Sequence, residues 1–144
     1  MARMITVHHL ETSRSQRVLW LLEELGVPYE LKVYQRDKAT RLAPPELKKI
    51  HPLGKSPVIT DGNEVIAESG AIIETIINRY APGRLTPPLA SADYGQHLIW
   101  LHHAEGSLAG RVIADYRVWM IAPPKQRSPL VDSEAEYQFA EDYL

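Results

Sequence analysis

Cysteine is absent from this 144-residue chain, which removes disulfides, a Cys-x-x-Cys redox centre and thiolate metal sites in one step. Any thiol chemistry must therefore draw its sulfur from a bound molecule. Phenylalanine occurs once, so aromatic packing rests on 7 tyrosines and 3 tryptophans. No stretch approaches the roughly 20 apolar residues of a membrane span, and the opening MARMITVHHLE turns polar too soon for a secretory leader. The expectation is a soluble cytoplasmic protein. An excess of one charge is missing too: 16 Lys and Arg stand scattered among 18 Asp and Glu, a net charge of −2. That balance argues against nucleic acid or an anionic membrane as partner. Any anion site has to be built locally.

What is present reads as globular, with 44% apolar and 24% charged residues. The length suffices for one domain with a core, or for a small domain plus part of a second. Residues 4–10 (MITVHHL) are apolar and β-rich enough for a buried strand. After the polar hinge 11–15, Val18, Leu21, Leu22 and Leu25 mark one face of a helix, with Gly26 in the C′ place and Pro28 just beyond. Tyr29, Leu31 and Val33 alternate with Glu30, Lys32 and Tyr34, the period of a strand. Residues 35–45 form a charged connector, and 45–50 a short helix with proline in its first turn.

The stretch HPLGKSPVITDGNEVIAESGAI then carries two short β runs, 56–60 and 64–67, joined by Asp61-Gly62-Asn63, a strong hairpin signal. Ser69 follows as the cap of a helix bearing Ile72, Ile73, Ile76 and Ile77. The order βαβ-α-ββα implies an α/β domain with a mixed four-stranded sheet and helices on both faces. Residues 81–90 contain the Pro/Gly-rich APGRLTPPL and read as a linker. Beyond it the pattern is helical from 92 to about 120, weakened midway by Gly106 and Gly110, stopped by Pro123-Pro124, with capping-box spacing for a short helix at 133–136. The domain division is thus 1–80, a linker over 81–90, and an all-α region over 91–144.

Three segments, SRSQRVLWLLEELGVPYE, APPELKKIHPLGKSPVITDG and AESGAIIETIINRY, in this order and spacing, resemble the N-terminal half of a cytosolic glutathione S-transferase. The nearest group is the serine-type, theta-like one of bacteria and fungi. The resemblance implies a thioredoxin-like domain followed by an all-helical one, and a homodimer acting in detoxification. It implies that Ser56 presents its backbone to the cysteinyl part of glutathione ahead of a cis Pro57. Glu68 then pairs with the γ-glutamyl amino group, Ser69 and its helix start face the α-carboxylate, and Lys55 contacts the glycyl carboxylate. Helix N-termini favour anions by geometry and dipole. Arg14, Ser15, His51 and Glu105 are further candidates, the last reaching a partner subunit's glutathione. Relatives continue through several more helices, including one opened by a Ser/Thr-x-x-Asp capping motif, which this sequence does not show.

Ser13 carries the catalytic expectation, four residues before Arg17 as in serine-type members, with Thr12 and Ser15 as local rivals; Ser15 also fits a plain helix cap. A free thiol with pKa about 8.5 is only a few per cent ionised at neutral pH. Lowering it by ~2 units takes roughly 2.7 kcal/mol. A hydrogen bond to a charged sulfur supplies about 1.5–3 kcal/mol, and a helix start about 0.3–1 more. One hydroxyl is enough, without a general base. The implied reaction is attack of glutathione thiolate on a hydrophobic electrophile or a peroxide, glutathione being a co-substrate and no metal being needed. A transferase-like binding module without chemistry is the alternative.

Taken singly, Ser69 is a cap, Pro57 a strand-edge proline, Lys55 a solvated lysine and His51 a loop residue. Together they favour a ligand. Trp100 and His103, with Tyr116 and Trp119 further on, are candidates for an electrophile pocket, against the commoner reading as core. The pairs His8-His9 and His102-His103 cannot chelate alone, because neighbours diverge on strand and helix alike.

Overall fold

The computed structural model describes residues 4–121. The expectations at 123–124 and 133–136 lie outside the described residues, as does the side chain of Trp119. The chain divides into two compact units between Thr86 and Pro87.

The first unit runs β1 (Ile5–Leu10), α1 (Ser15–Leu25), β2 (Tyr29–Tyr34), α2 (Glu46–Ile50), β3 (Val58–Asp61), β4 (Glu64–Ala67) and α3 (Ser69–Tyr80). Its sheet has the order β2-β1-β3-β4, with β1 parallel to β2 and antiparallel to β3, and β3 antiparallel to β4. This is the expected thioredoxin-like arrangement. Ile5 and Val7 of β1 and Ile59 of β3 pack with Val18 and Leu22 of α1 and Ile72 and Ile76 of α3, all fully buried. Each such side chain contributes about 1.5–3 kcal/mol by leaving water, so the sheet and these two helices fold as one body.

Local chemistry sets the ends. Gly26 closes α1 at φ 67°, and the Val27 N–H reaches back to the Leu22 carbonyl at 3.0 Å, the αL closure that glycine makes cheap. Gly62, φ 61°, and Asn63 form the two-residue turn between Asp61 and Glu64. Asp61, fully buried, accepts from Arg79 Nη1 at 2.8 Å and from the Tyr80 hydroxyl at 2.6 Å. The hairpin is thereby tied to the last turn of α3.

Several boundaries differ from the sequence reading: β1 begins at Ile5 rather than Met4, and α2 at Glu46, with Pro45 as its N-cap rather than in its first turn. β3 begins at Val58 rather than Ser56, because Pro57 has no N–H for the ladder. Ser15 and Ser69 are not N-caps: Arg14 and Glu68 occupy those positions, and each serine is the first helical residue of a helix without a side-chain cap. At α1 the capping is displaced to Ser13, whose Oγ accepts the Ser15 N–H at 3.2 Å, a local serine–backbone bond of the kind that competes with regular caps.

The second unit holds α4 (Tyr94–His103), a π-helical turn (Ala104–Leu108) and α5 (Ala109–Ile121). The single helix expected from 92 to about 120 is thus interrupted around Gly106, a residue with little helix preference.

Candidate functional site

The register brings the expected residues of the first unit to one end of the sheet. β1 finishes at Leu10, with Ser13 three residues on. β3 starts just after the Ser56–Pro57 bond, which is cis. β4 stops at Ala67, paired with Val58, so that Glu68 and Ser69 follow beside the start of β3. Three chain segments far apart in sequence meet there.

Ser56 is pinned by β1: its Oγ donates to the His8 carbonyl at 2.9 Å and accepts the Leu10 N–H at 3.4 Å. Ser13 Oγ lies 3.4 Å from Ser56 Oγ and 2.7 Å from Ser15 Oγ. Ser15, fully buried, has its Oγ 2.7 Å from His9 Nδ1 and 3.4 Å from the Leu10 carbonyl. A line of hydroxyls therefore runs from Ser56 through Ser13 and Ser15 to an imidazole.

The turn that carries Ser13 is held by a residue the sequence reading passed over. Arg36 donates from Nε to the Glu11 carbonyl, from Nη2 to the Thr12 carbonyl and from Nη1 to the Arg41 carbonyl, each at 3.0 Å. A planar guanidinium suits such a fork. It is needed because Thr12 sits at φ 51°, a conformation that opposes a β-branched side chain. Thr12 itself is exposed, and its hydroxyl has no place in the serine line.

Glu68 adopts φ 72° and ψ 122°, a second sparsely populated backbone state, and strain of this kind gathers at functional sites. Its side chain is exposed, while Ser69 behind it is buried. The first intrahelical bond of α3 is Ile72 N–H to the Glu68 carbonyl, 2.9 Å. The N–H groups of Ser69, Gly70 and Ala71 precede it, and no acidic side chain lies in that first turn. The helix start is available to an outside anion.

Lys55 is exposed next to Gly54, whose φ of 59° and approach to the Lys48 side chain leave no room for a Cβ. His51 accepts the Leu53 N–H at Nδ1, 3.3 Å, and so shapes its own loop. Arg14 is half-buried at the start of α1. The two N-terminal histidines serve opposite faces: His8 bonds Thr60 Oγ1 at 2.8 Å and the Tyr34 hydroxyl at 3.0 Å, whereas His9 faces Ser15. Burial, reinforced by the Lys32 cation, lowers the His8 pKa against the opposing pull of Glu30. In the second unit Trp100 and His103 meet edge to face at 5.8 Å, and Glu105 is half-buried in the π-helical turn. Among the described residues no group of three or more His, Asp or Glu is placed to hold a metal ion, and no helix is long and apolar enough to cross a membrane.

The family profile described as glutathione S-transferase, N-terminal domain, matches residues 2–78. The chain belongs to the glutathione S-transferase family. Glutathione S-transferase 3 of Schizosaccharomyces pombe is 44% identical over 105 residues, covering 73% of this chain and 43% of that one. A glutathione S-transferase structure from Actinobacillus pleuropneumoniae aligns with a TM-score of 0.81 at 36% identity, over 96% of this chain and 65% of that one. A theta-class glutathione S-transferase from Xanthomonas axonopodis pv. citri, with glutathione bound, aligns with a TM-score of 0.69 at 26% identity, over 96% of this chain and 66% of that one. The chain spans less than half the length of the S. pombe transferase. The match to the N-terminal domain falls within the first unit, and the described residues of the second unit are helical.

Proposed function

We propose that the chain binds glutathione at this sheet end and activates its thiol for transfer to a hydrophobic electrophile, with Ser13 as the catalytic hydroxyl. One observation carries the reading: Ser13 Oγ stands 3.4 Å from Ser56 Oγ, beside the cis Ser56–Pro57 bond and at the sheet end from which Glu68 and Ser69 emerge. A tripeptide lying along this edge has a strand to pair with, a helix start for its α-carboxylate and a hydroxyl at the middle of its length. The bound glutathione of the theta-class relative supports the same ligand here.

In the proposed complex Ser56 meets the cysteinyl backbone, with Pro57 fixing the bend. Glu68 takes the α-amino group, Ser69 and the α3 start the α-carboxylate, and Lys55 the glycyl carboxylate. The Ser13 hydroxyl donates to the sulfur and favours its thiolate, whose lone pair forms the new C–S bond as the electrophile's leaving group departs. Arg14 and Ser15 flank this point, and His51 shapes the loop bearing Lys55. Trp100 and His103 are assigned to the electrophile, and Glu105 to the glutathione of a second subunit in a homodimer. Residues 1–80 form the glutathione-binding domain, 81–90 the linker and 91 onward the helical region of a cytoplasmic enzyme.

Ultraviolet absorbance of the thiolate, followed against pH in a glutathione complex, tests the proposal. The native chain should show the bound thiol titrating about 2 units below its free value of roughly 8.5, and Ser13→Ala should return it most of the way. Turnover of an aryl halide should fall steeply in Ser13→Ala while glutathione affinity barely changes. Equal activity in that variant removes Ser13 from the chemistry.

A further inference from the structure

The mechanism above uses one serine, yet the structure gives that serine a buried neighbour and the neighbour an imidazole. Ser15 Oγ sits between Ser13 Oγ and His9 Nδ1, 2.7 Å from each, and is fully buried. These are the shortest links in the line. A hydroxyl has one proton to give and two lone pairs to receive; the Leu10 carbonyl, at 3.4 Å, is the more distant acceptor for the Ser15 proton, and along the two 2.7 Å links the line runs in two senses.

In the outward sense His9 Nδ1–H donates to Ser15 and Ser15 donates to Ser13, so that the Ser13 proton faces away from Ser15, toward Ser56 Oγ, which accepts it at 3.4 Å because the Ser56 proton is given to the His8 carbonyl. A ligand sulfur at this point displaces that long contact. In the inward sense Ser13 donates to Ser15 and Ser15 donates to an unprotonated Nδ1. Ser13 then turns a lone pair outward, its other acceptor position being taken by the Ser15 N–H at 3.2 Å. A thiolate is held by the outward sense and repelled by the inward one. We propose that His9 is a positioning residue which, by donating through Ser15, directs the single proton of Ser13 toward the ligand sulfur. The inference rests on the assignment of Ser13 made above. Donation along successive hydroxyls also strengthens the last bond in the line.

The test uses the full chain with His9→Gln, His9→Asn, Ser15→Ala and the double variant His9→Gln/Ser15→Ala. An asparagine amide places its nitrogen near the Nδ1 position; glutamine reaches past it toward the place of Nε2. His9→Gln and Ser15→Ala should each raise the pKa of bound glutathione by about one unit and lower kcat about tenfold, the size of one ordinary hydrogen bond. The KM for glutathione should stay within about twofold, since the interaction is lost from thiolate and transition state rather than from peptide binding. His9→Asn should restore most of the loss, and the double variant should be no worse than the worse single one, because both cut the same line. Thermal unfolding of each variant confirms that it is folded.

A folded His9→Gln with native thiol titration and kcat overturns the proposal, as do additive losses in the double variant or no recovery in His9→Asn. If the native chain itself binds glutathione with an unshifted thiol, the Ser13 reading fails first and this inference with it.

Discussion

Arg36→Ala removes the fork that holds the turn ahead of Ser13, and its cost can be worked from the structure. The guanidinium makes three bonds of 3.0 Å to main-chain carbonyls. Bonds to a charged donor are worth about 1.5–3 kcal/mol when shielded, but two of these three are exposed and exchange readily with water, so about 2 kcal/mol in total is a fair figure. Against it stands Thr12 at φ 51°, a state costing about 1 kcal/mol or more for a non-glycine residue. Without the fork, the turn relaxes toward ordinary backbone angles and Ser13 leaves its place in most molecules. A loss of roughly 1.4–2 kcal/mol corresponds to a tenfold to thirtyfold fall in kcat. Arg36→Lys should behave nearly the same, because an ammonium keeps the charge but cannot span three carbonyls. The assay is turnover of an aryl halide at saturating glutathione, with thermal unfolding alongside and the neighbouring exposed Lys38→Ala as control. A clear fall in melting temperature with kcat within about twofold of native would refute the reasoning, since the fork would then steady the fold and not Ser13.

Further outcomes follow from the same contacts. Asp61→Ala strips the buried acceptor from Arg79 and Tyr80; because Arg79 is partly exposed and keeps Glu64, the expected loss is about 2–4 kcal/mol in urea unfolding. A loss below about 1 kcal/mol would show that the hairpin does not depend on this tie. Glu68→Gly should separate stability from binding: it relieves a φ of 72°, so stability should hold or rise by up to about 1 kcal/mol, while glutathione binding measured by calorimetry weakens. If binding is unchanged, the Glu68 carboxylate does not touch the ligand. The lowered pKa of His8 predicts stability that is complete above the unfolded value near 6.5 and is lost as pH falls through the folded value. The melting temperature of the native chain should therefore decline below about pH 6.5, and less steeply in His8→Gln, which removes the titrating ring; identical slopes would exclude His8 as the cause.

Much of the fold was legible because each element of the first unit carries a period and a stop of its own. Val18, Leu22 and Leu25 face the core; Gly26 ends the helix, and Gly62-Asn63 turns the hairpin. The order of such units leaves few topologies for a small mixed sheet. The helix starts were less legible, since a serine before an apolar run reads as a cap whether it lies on the boundary or one residue inside it. Ser15 and Ser69 both lie inside. Long-range polar contacts were not legible at all. Arg36 stands in a charged connector with no motif, and only the folded chain shows that its three acceptors come from two separate turns. His9 entered the sequence reading through its neighbour His8, as half of a metal pair, and nothing in the spacing indicated a buried serine as its partner.

The placement of the site has a physical logic beyond the motifs. Regular ladders satisfy their own backbone groups, so a ligand that needs main-chain partners must be met where ladders end. At this end of the sheet β1 has just stopped, β3 has not yet begun and β4 has given way to α3. Two non-glycine residues in left-handed backbone, Thr12 and Glu68, stand at the exits of β1 and β4. Neither conformation is favourable alone, and each is anchored by something rigid: the Arg36 fork behind Thr12, and the fully buried Ile72 and Ile76 of α3 behind Glu68. Strain concentrated at two points and supported by a packed core leaves Ser13, Ser56 and the α3 start little freedom to reorganise. The proposed role, holding a sulfur within hydrogen-bond reach of one hydroxyl with no base to correct an error of aim, depends on that lack of freedom.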